Sequence, residues 1–162
     1  MANVYDLVKG DEHIVAESSR LKATVAGHIY DLKMVKDTDN GTIVALGDYV
    51  EGQVFEAKDY AAGEIACLVL TSPLAYNGKK AWSDEKYFYN AKDEIARAYE
   101  LSVGDIYTVS KKAFGESTVA VGNLVNASYA VIGEAGEGFV GEIIEEVTYT
   151  NSISYRILVR AI

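Results

Sequence analysis

The stretch Ser152–Arg160 reads SISYRILVR, and it indicates the fold class of this chain. Its regularly spaced apolar residues fall at every second position: Ile153, Tyr155, Ile157 and Val159. Successive side chains of a strand point to opposite faces, so this alternation predicts a strand with one buried face in an antiparallel sheet. The run 139–149 before it is also largely apolar, and Thr150-Asn151 between the two runs predicts a closing hairpin.

Three shorter units share a pattern in which an apolar residue precedes Gly-Asp or Gly-Asn and an apolar or alternating run follows. They are Leu46–Val50, Val103–Tyr107 and Val121–Val125. Glycine tolerates positive φ, and Asp or Asn can hydrogen-bond its own backbone. Each unit therefore predicts a turn that starts a strand, and the irregular spacing of the three units excludes a solenoid or a propeller.

The polar segment 36–41 ends in Asn40-Gly41 and precedes the apolar run 42–46, which predicts a tight hairpin. Asp37, Asp39 and Asn40 faintly resemble a calcium loop, but the spacing stops short, so a solvated turn is the better interpretation. The run 65–70 predicts a buried strand.

Residues 84–101 allow two interpretations. Good helix formers at 93–101 allow a helix, whereas a hairpin would pair Tyr87–Tyr89 with 95–101 across 90–93. We favour the hairpin because Tyr and Phe prefer strands. The chain as a whole predicts a mostly β fold, a single antiparallel barrel or sandwich with at most one short helix. Residues 1–20 are the most polar part and predict an N-terminal arm or a peripheral hairpin, with the β domain at 21–162.

Composition narrows the classes of partner. The net charge is −9, with 24 acidic against 15 basic residues, so nucleic-acid binding is not expected. No apolar run approaches a membrane span, and the N-terminus does not resemble a secretory signal, so we expect synthesis and folding in a cytoplasm. The lone Cys67 lies in an apolar run and predicts a buried, inert thiol.

No pattern in the sequence predicts catalysis, a cofactor or a metal. The Gly-rich loop 133–138 lacks the Lys-Ser/Thr of a phosphate loop, and its glutamates would repel phosphate. His13 and His28 are far apart and lack the spacing of transition-metal ligands. We therefore expect a protein that is not an enzyme, with no catalytic, cofactor-binding or metal-binding residues.

Aromatic residues supply the remaining signal, because tyrosine buries area at low entropy cost while keeping a polar tip. The chain contains 12 tyrosines, and several aromatic residues cluster in its least regular segment. Such residues either fill a β core or form an interface. The candidate interface residues are Tyr5, Tyr76, Trp82, Tyr87, Phe88 and Tyr89.

The segment 94–110, EIARAYELSVGDIYTVS, and the segment 138–145, GFVGEIIE, resemble head-associated proteins of tailed bacteriophages that infect Gram-positive bacteria. Those head-associated proteins look like capsid decoration proteins, which are also called head accessory proteins. The resemblance covers residues 40–162. It implies a β-rich virion protein on the capsid exterior that binds the major capsid protein in the assembled shell and reinforces that shell. It carries over no catalytic residues, and it makes the N-terminal arm a candidate for contact with the shell or a neighbouring copy.

Oligomeric state is open at this point, although a homotrimer would suit local threefold points of a shell. Two other functions also stay open. One is a tail or head-fibre component, and the other is a carbohydrate- or ligand-binding β module that uses Trp82 and nearby tyrosines. We expect no membrane or nucleic-acid partner for any of these.

Overall fold

The computed structural model describes residues 12–72, 85–149 and 152–162. This part of the chain is mostly β, which confirms the predicted fold class, with one short helix α1 (Lys22–Ala26) and 3₁₀ turns at Glu85–Tyr87 and Lys111–Phe114. Its strands are β1 (Ala16–Arg20), β2 (Ile29–Lys33), β3 (Ile43–Glu51), β4 (Val54–Asp59), β5 (Ala66–Val69), β6 (Ile95–Glu100), β7 (Ile106–Ser110), β8 (Leu124–Val125), β9 (Val131–Ile132), β10 (Val140–Tyr149) and β11 (Ser152–Ala161).

The five strands β2 to β6 close into a small barrel in the order β2-β4-β3-β5-β6. The pair β2 and β4 is parallel, and the other pairs of the barrel are antiparallel. Small and medium side chains fill the interior, as a barrel this narrow requires. They are Leu32, Met34, Val44, Ala57, Cys67, Val69, Ala96 and Ala98. The predicted burial of Cys67 is confirmed, since its side chain is fully buried.

The other six strands form an antiparallel sheet in the order β1-β7-β11-β10-β8-β9. The predicted closing hairpin is confirmed as β10 and β11. Tyr155, Ile157 and Val159 are buried, as the alternation predicts, whereas Ile153 near the start of β11 is partly exposed. The fold therefore contains both a barrel and a separate sheet, rather than one or the other.

A shared core joins the barrel to the sheet. Ile43, Ala66 and Leu68 lie on the outer side of the barrel and pack in one apolar cluster with residues of the sheet such as Ile157. A buried chain of hydrogen bonds also crosses the junction, because the Tyr129 hydroxyl donates to the Gly41 carbonyl. The Tyr107 hydroxyl lies 3.1 Å from that of Tyr129. The barrel and the sheet are thus held together by apolar contacts and by satisfied polar groups.

Two of the three predicted turns have the same geometry. In each, the Asp105 or Asn123 side chain accepts a hydrogen bond from the backbone N–H three residues earlier. Gly104 and Gly122 adopt φ of 95° and 94°, and their N–H groups donate to the carbonyls of β11 and β10 respectively. The two turns start β7 and β8, as predicted, on either side of the closing hairpin.

The third unit was predicted wrongly as a turn, because Gly47 and Asp48 lie inside β3. The pairing of β3 with β4 shifts register between Leu46 and Tyr49, which marks a β-bulge. A Cβ on Gly47 would lie 2.4 Å from the Glu56 carbonyl oxygen, so the glycine permits close approach of β4. At this position the Gly-Asp pair therefore lies at a β-bulge within a strand, instead of in a turn that starts one.

The segment 36–41 is not a hairpin turn, because β2 and β3 are not neighbours in the barrel. It is also not fully solvated, since Thr38 and Asn40 are buried. The hairpin predicted between Tyr87–Tyr89 and 95–101 is likewise wrong. Residues 95–100 do form a strand, but β6 pairs with β2 and β5.

The segment predicted as an N-terminal arm is described only from Glu12, so Tyr5 lies outside the described residues. From Ala16 to Arg20 the chain forms β1, which pairs with β7 at the edge of the sheet. Ile14 and Ala16 pack against the shared core. This part of the segment therefore lies on its own sheet.

Candidate functional site

The structure describes three of the six candidate interface residues. Tyr87 and Phe88 are half-buried, and Tyr89 is 40% exposed. Tyr76 and Trp82, like Tyr5, lie outside the described residues. The 3₁₀ turn at Glu85–Tyr87 leads directly into these aromatics.

A second aromatic ring lies against Tyr89, and it belongs to the N-terminal segment. The His13 ring centroid is 4.8 Å from that of Tyr89, with an angle of 30° between the planes. The His13 N–H donates to the Lys86 carbonyl at 2.6 Å. We call the surface formed by His13, Tyr87, Phe88 and Tyr89 the aromatic face.

Asp39 fixes His13 in this position. Its Oδ1 lies 2.6 Å from His13 Nδ1, and its Oδ2 accepts the Ile14 N–H at 3.1 Å. The sequence predicts a solvated turn around Asp39, and no sequence pattern links that turn to His13. A polar turn carries no signal of the segment it contacts, and these two residues are 26 positions apart.

The side-chain amides of Asn40 and Asn90 form a buried hydrogen-bond network next to the aromatic face. The Asn90 side-chain amide donates to the Thr38 carbonyl and to Asn40 Oδ1, both at 3.1 Å. The Asn40 side chain in turn exchanges two hydrogen bonds with the backbone of Thr71, at 2.8 and 3.0 Å. Because buried polar groups are costly unless paired, this network fixes the relative positions of 38–40, 71 and 90.

A groove of about 220 Å³ lies beside this network, between β1 and the end of β5. Its lining is more polar than apolar and includes Ile14, Ala16, Ser18, Asn40, Thr71 and Tyr99. A second groove of about 370 Å³ separates the turn 60–62 from Asn126–Ser128 and Phe139. In both grooves the walls come from the barrel on one side and the sheet or its loops on the other.

One mouth of the barrel carries a second group of aromatic residues, which we call the mouth strip. The ring of Phe55 is 5.8 Å from that of Tyr30 and 5.5 Å from that of Tyr49, edge to face in both cases. At the Tyr30 end, the hydroxyl donates to Glu100 Oε2 at 2.8 Å. His28 Nδ1 lies 3.3 Å from the same oxygen. We define the strip as Tyr49, Phe55, Tyr30 and Glu100.

Burial and the neighbouring carboxylate affect two groups at this mouth. Burial, followed by the hydrogen bond to Glu100, raises the pKa of Tyr30 to about 12. Burial, followed by the Glu100 charge, also raises the pKa of Cys67 to about 12. The Cys67 thiol is therefore protonated at neutral pH and is a poor nucleophile.

We expect these shifts to make the protein lose stability at alkaline pH. The usual pKa values of the two groups are 10.0 for the Tyr30 hydroxyl and 9.0 for the Cys67 thiol. A raised folded-state pKa favours the native state below the usual value, and that contribution is lost as pH rises toward 12. Urea unfolding between pH 8 and 12 should show a falling free energy of unfolding. In Cys67→Ala the free energy of unfolding should fall less steeply above pH 9, and in Tyr30→Phe it should fall less steeply above pH 10. Slopes equal to that of wild type in both variants would contradict this prediction.

Within the described ranges, no three His, Cys, Asp or Glu side chains are grouped so that they could hold a metal ion. No helix in this part of the chain is long and apolar enough to cross a membrane. Comparison with family models, with curated proteins and with solved structures finds no match for this chain.

Proposed function

We propose that this protein is a non-enzymatic structural component of a tailed-phage virion, which binds the outer surface of the assembled capsid and stabilises it. The resemblance of 94–110 and 138–145 to capsid decoration proteins motivates the choice of target. The observation that carries the binding role is the aromatic face, where Tyr89 is 40% exposed although its neighbours are anchored. Exposed tyrosine on a rigid support is typical of protein interfaces.

The aromatic face is well ordered by its contacts. Asp39 holds His13, and the amide of Asn90 is buried in the network with Thr38 and Asn40. An interface residue that is already positioned loses little conformational entropy on binding. The geometry therefore suits binding to a fixed surface such as an assembled shell.

Charge is compatible with the proposal. A net charge of −9 keeps free copies apart in solution. Binding to a repeated surface would then depend on local contacts at the aromatic face, with several copies on one shell.

The test is co-sedimentation with intact heads of tailed phages that infect Gram-positive bacteria, alongside light scattering of the free protein. We expect saturable binding to assembled heads and none to free capsid subunits. Tyr89→Ala should weaken head binding about tenfold or more, because a central interface tyrosine contributes roughly 2 kcal/mol. The control is Val121→Ala, which truncates a 57% exposed apolar side chain in the turn before β8 and should bind heads as wild type does. Absence of wild-type co-sedimentation would overturn the proposal, and equal binding by Tyr89→Ala and wild type would overturn the assignment of the face.

A further inference from the structure

Glu100 is a carboxylate at the inner edge of the barrel. It ends β6, in which Ala96 and Ala98 are buried inside the barrel, and alternation places Glu100 on the same side. Its side chain is only 27% exposed. A carboxylate this far out of water normally has a charged partner or several hydrogen-bond donors.

The described residues offer Glu100 an incomplete set of partners. Oε2 accepts the Tyr30 hydroxyl and lies 3.3 Å from His28 Nδ1. Ion pairs elsewhere in these residues bring Lys or Arg to Glu64, Glu142 and Glu145, but none brings either to Glu100. No donor among the described residues hydrogen-bonds to its Oε1. The charge acts on the barrel interior, where it helps to raise the pKa of Cys67.

The three aromatic residues of the mouth strip extend away from the Glu100 carboxylate. Tyr30 and Phe55 are half-buried and Tyr49 is 61% exposed, so the strip becomes more open with distance from Glu100. Adjacent rings are nearly perpendicular, at 83° and 79°. Aromatic rings carry partial negative charge on their faces and attract cations placed over them. The Glu100 carboxylate and the row of aromatic rings therefore both favour a positively charged ligand.

Supports on the neighbouring strands hold the strip in place. Phe55 pairs with Leu32 of β2 and Tyr49 of β3, and the bulge at Gly47 brings β4 close to β3. The Tyr49 hydroxyl accepts the Gln53 N–H at 3.3 Å. The strip is thus a preformed surface on the rigid barrel, which lowers the entropy cost of binding.

We propose that this mouth binds an aliphatic cation, a primary ammonium or guanidinium group on a short alkyl stem. The charged end pairs with Glu100, and the stem lies along Phe55 toward Tyr49. The cation is either the side chain of a Lys or Arg on a partner protein or a free small amine, because the chemistry is the same. This inference does not rest on the proposed capsid role.

Other ligand classes fit the mouth less well. An anion would be repelled by Glu100, and a neutral apolar group would offer no hydrogen-bond donor to Glu100 Oε1. A neutral sugar could stack on the rings, but it would gain nothing specific from an ionised carboxylate with an open Oε1. A cation gains from both ends of the strip.

The experiment is a titration of ¹⁵N-labelled full-length protein with n-butylammonium chloride and n-butylguanidinium chloride at fixed ionic strength. We expect saturable shifts of the amides of Tyr30, Phe55 and Glu100, with a dissociation constant of about 1–10 mM, as suits so small a ligand. n-Butanol, the neutral analogue, should produce shifts at least tenfold weaker. Equal response to the alcohol and the cations would overturn the proposal.

Two variants test the assignment of residues. Glu100→Gln keeps an acceptor for Tyr30 but removes the charge, and we expect binding of n-butylammonium to weaken tenfold or more. Its matched control is Glu145→Gln, which removes an exposed carboxylate paired with Arg156 and should bind as wild type does. If Glu100→Gln alters the spectrum beyond the mouth, Tyr49→Ala takes its place, with an expected weakening of about threefold. Wild-type affinity in the variant used would overturn the proposal.

A further arm identifies the source of the cation. The peptide acetyl-Gly-Lys-Gly-amide is compared with acetyl-Gly-Gln-Gly-amide and with n-butylammonium. Binding of the lysine peptide at least as tightly as the free amine supports a partner protein, and binding of the free amine alone supports a small molecule. Equal binding of the glutamine and lysine peptides would overturn the proposal. Tyr89→Ala, which tests the capsid role, should not change any of these affinities.

Discussion

Leu68→Ala is expected to lower the free energy of unfolding by about 2–5 kcal/mol, the range for deleting a fully buried leucine. Leu68 is 0% exposed and lies in the cluster shared by the barrel and the sheet. Its strand neighbours are Ile43 of β3 and Tyr99 of β6. Removing three carbons here leaves a cavity at the junction, which the closed barrel can hardly collapse to fill.

The measurement is urea unfolding followed by far-UV circular dichroism and by aromatic fluorescence. Because Leu68 connects both sheets, we expect one transition by both probes, with an unchanged m-value. Val121→Ala is the control, since that valine is 57% exposed, and its effect should stay within about 0.5 kcal/mol. A loss below about 1 kcal/mol for Leu68→Ala, or separate transitions for the two probes, would contradict a shared core.

Gly47→Ala is expected to lower the free energy of unfolding by about 3 kcal/mol, at the upper end of the range for overpacking. The new Cβ would lie 2.4 Å from the backbone oxygen of Glu56, and a backbone atom cannot rotate away. The strands β3 and β4 must separate, so the contact between Tyr49 and Phe55 should also weaken. Thermal unfolding measures the loss of stability, and amide shifts of Phe55 report the change at the mouth.

Gly136→Ala is the matched control for this substitution. A Cβ on Gly136 meets no atom within 4 Å, and the residue lies in the exposed loop 133–138. Its stability should stay within about 0.5 kcal/mol of wild type. If Gly47→Ala were as mild as Gly136→Ala, then the close approach of β4 at the bulge would not be a constraint.

Local patterns predicted much of the β structure. The alternation in Ser152–Arg160 and the two turns at Gly104 and Gly122 were correct because strand periodicity and turn chemistry act within a few residues. The Gly47 unit was predicted wrongly for a related reason. Glycine serves turns and bulges alike, and only the partner strand decides between them.

Strand pairing was less accessible to sequence reasoning. The strand at 95–100 was predicted as one arm of a hairpin with Tyr87–Tyr89, but it pairs with β5 and with β2, and β2 is separated from it along the chain by β3, β4 and β5. Strand propensity favoured a strand at Tyr87–Tyr89, yet Tyr87 ends a 3₁₀ turn and Phe88 and Tyr89 follow it. Hydrogen bonds from His13 to the Lys86 carbonyl and from Asn90 to the Thr38 carbonyl hold this segment. Propensity is a weak guide where tertiary contacts provide the hydrogen bonds.

The candidate sites also show the difference between local patterns, which the sequence reveals, and long-range contacts, which it does not. The choice of Tyr89 as a candidate interface residue came from composition, and no motif predicted its contact with His13. The mouth strip was not predicted at all. Tyr30, Phe55 and Glu100 each look ordinary in sequence, and only the closed barrel brings them together.

Composition and strand periodicity were enough to predict a mostly β chain with a buried cysteine, a closing hairpin and acidic charge. Those properties depend on residue content and on the two-residue period of strands, both of which are local. The pairing of the strands, the contact of Asp39 with His13 and the place of Glu100 at the end of an aromatic strip became visible only in the folded chain. These features join residues that are far apart in sequence: Tyr30 and Glu100 are 70 residues apart, and the barrel makes them neighbours.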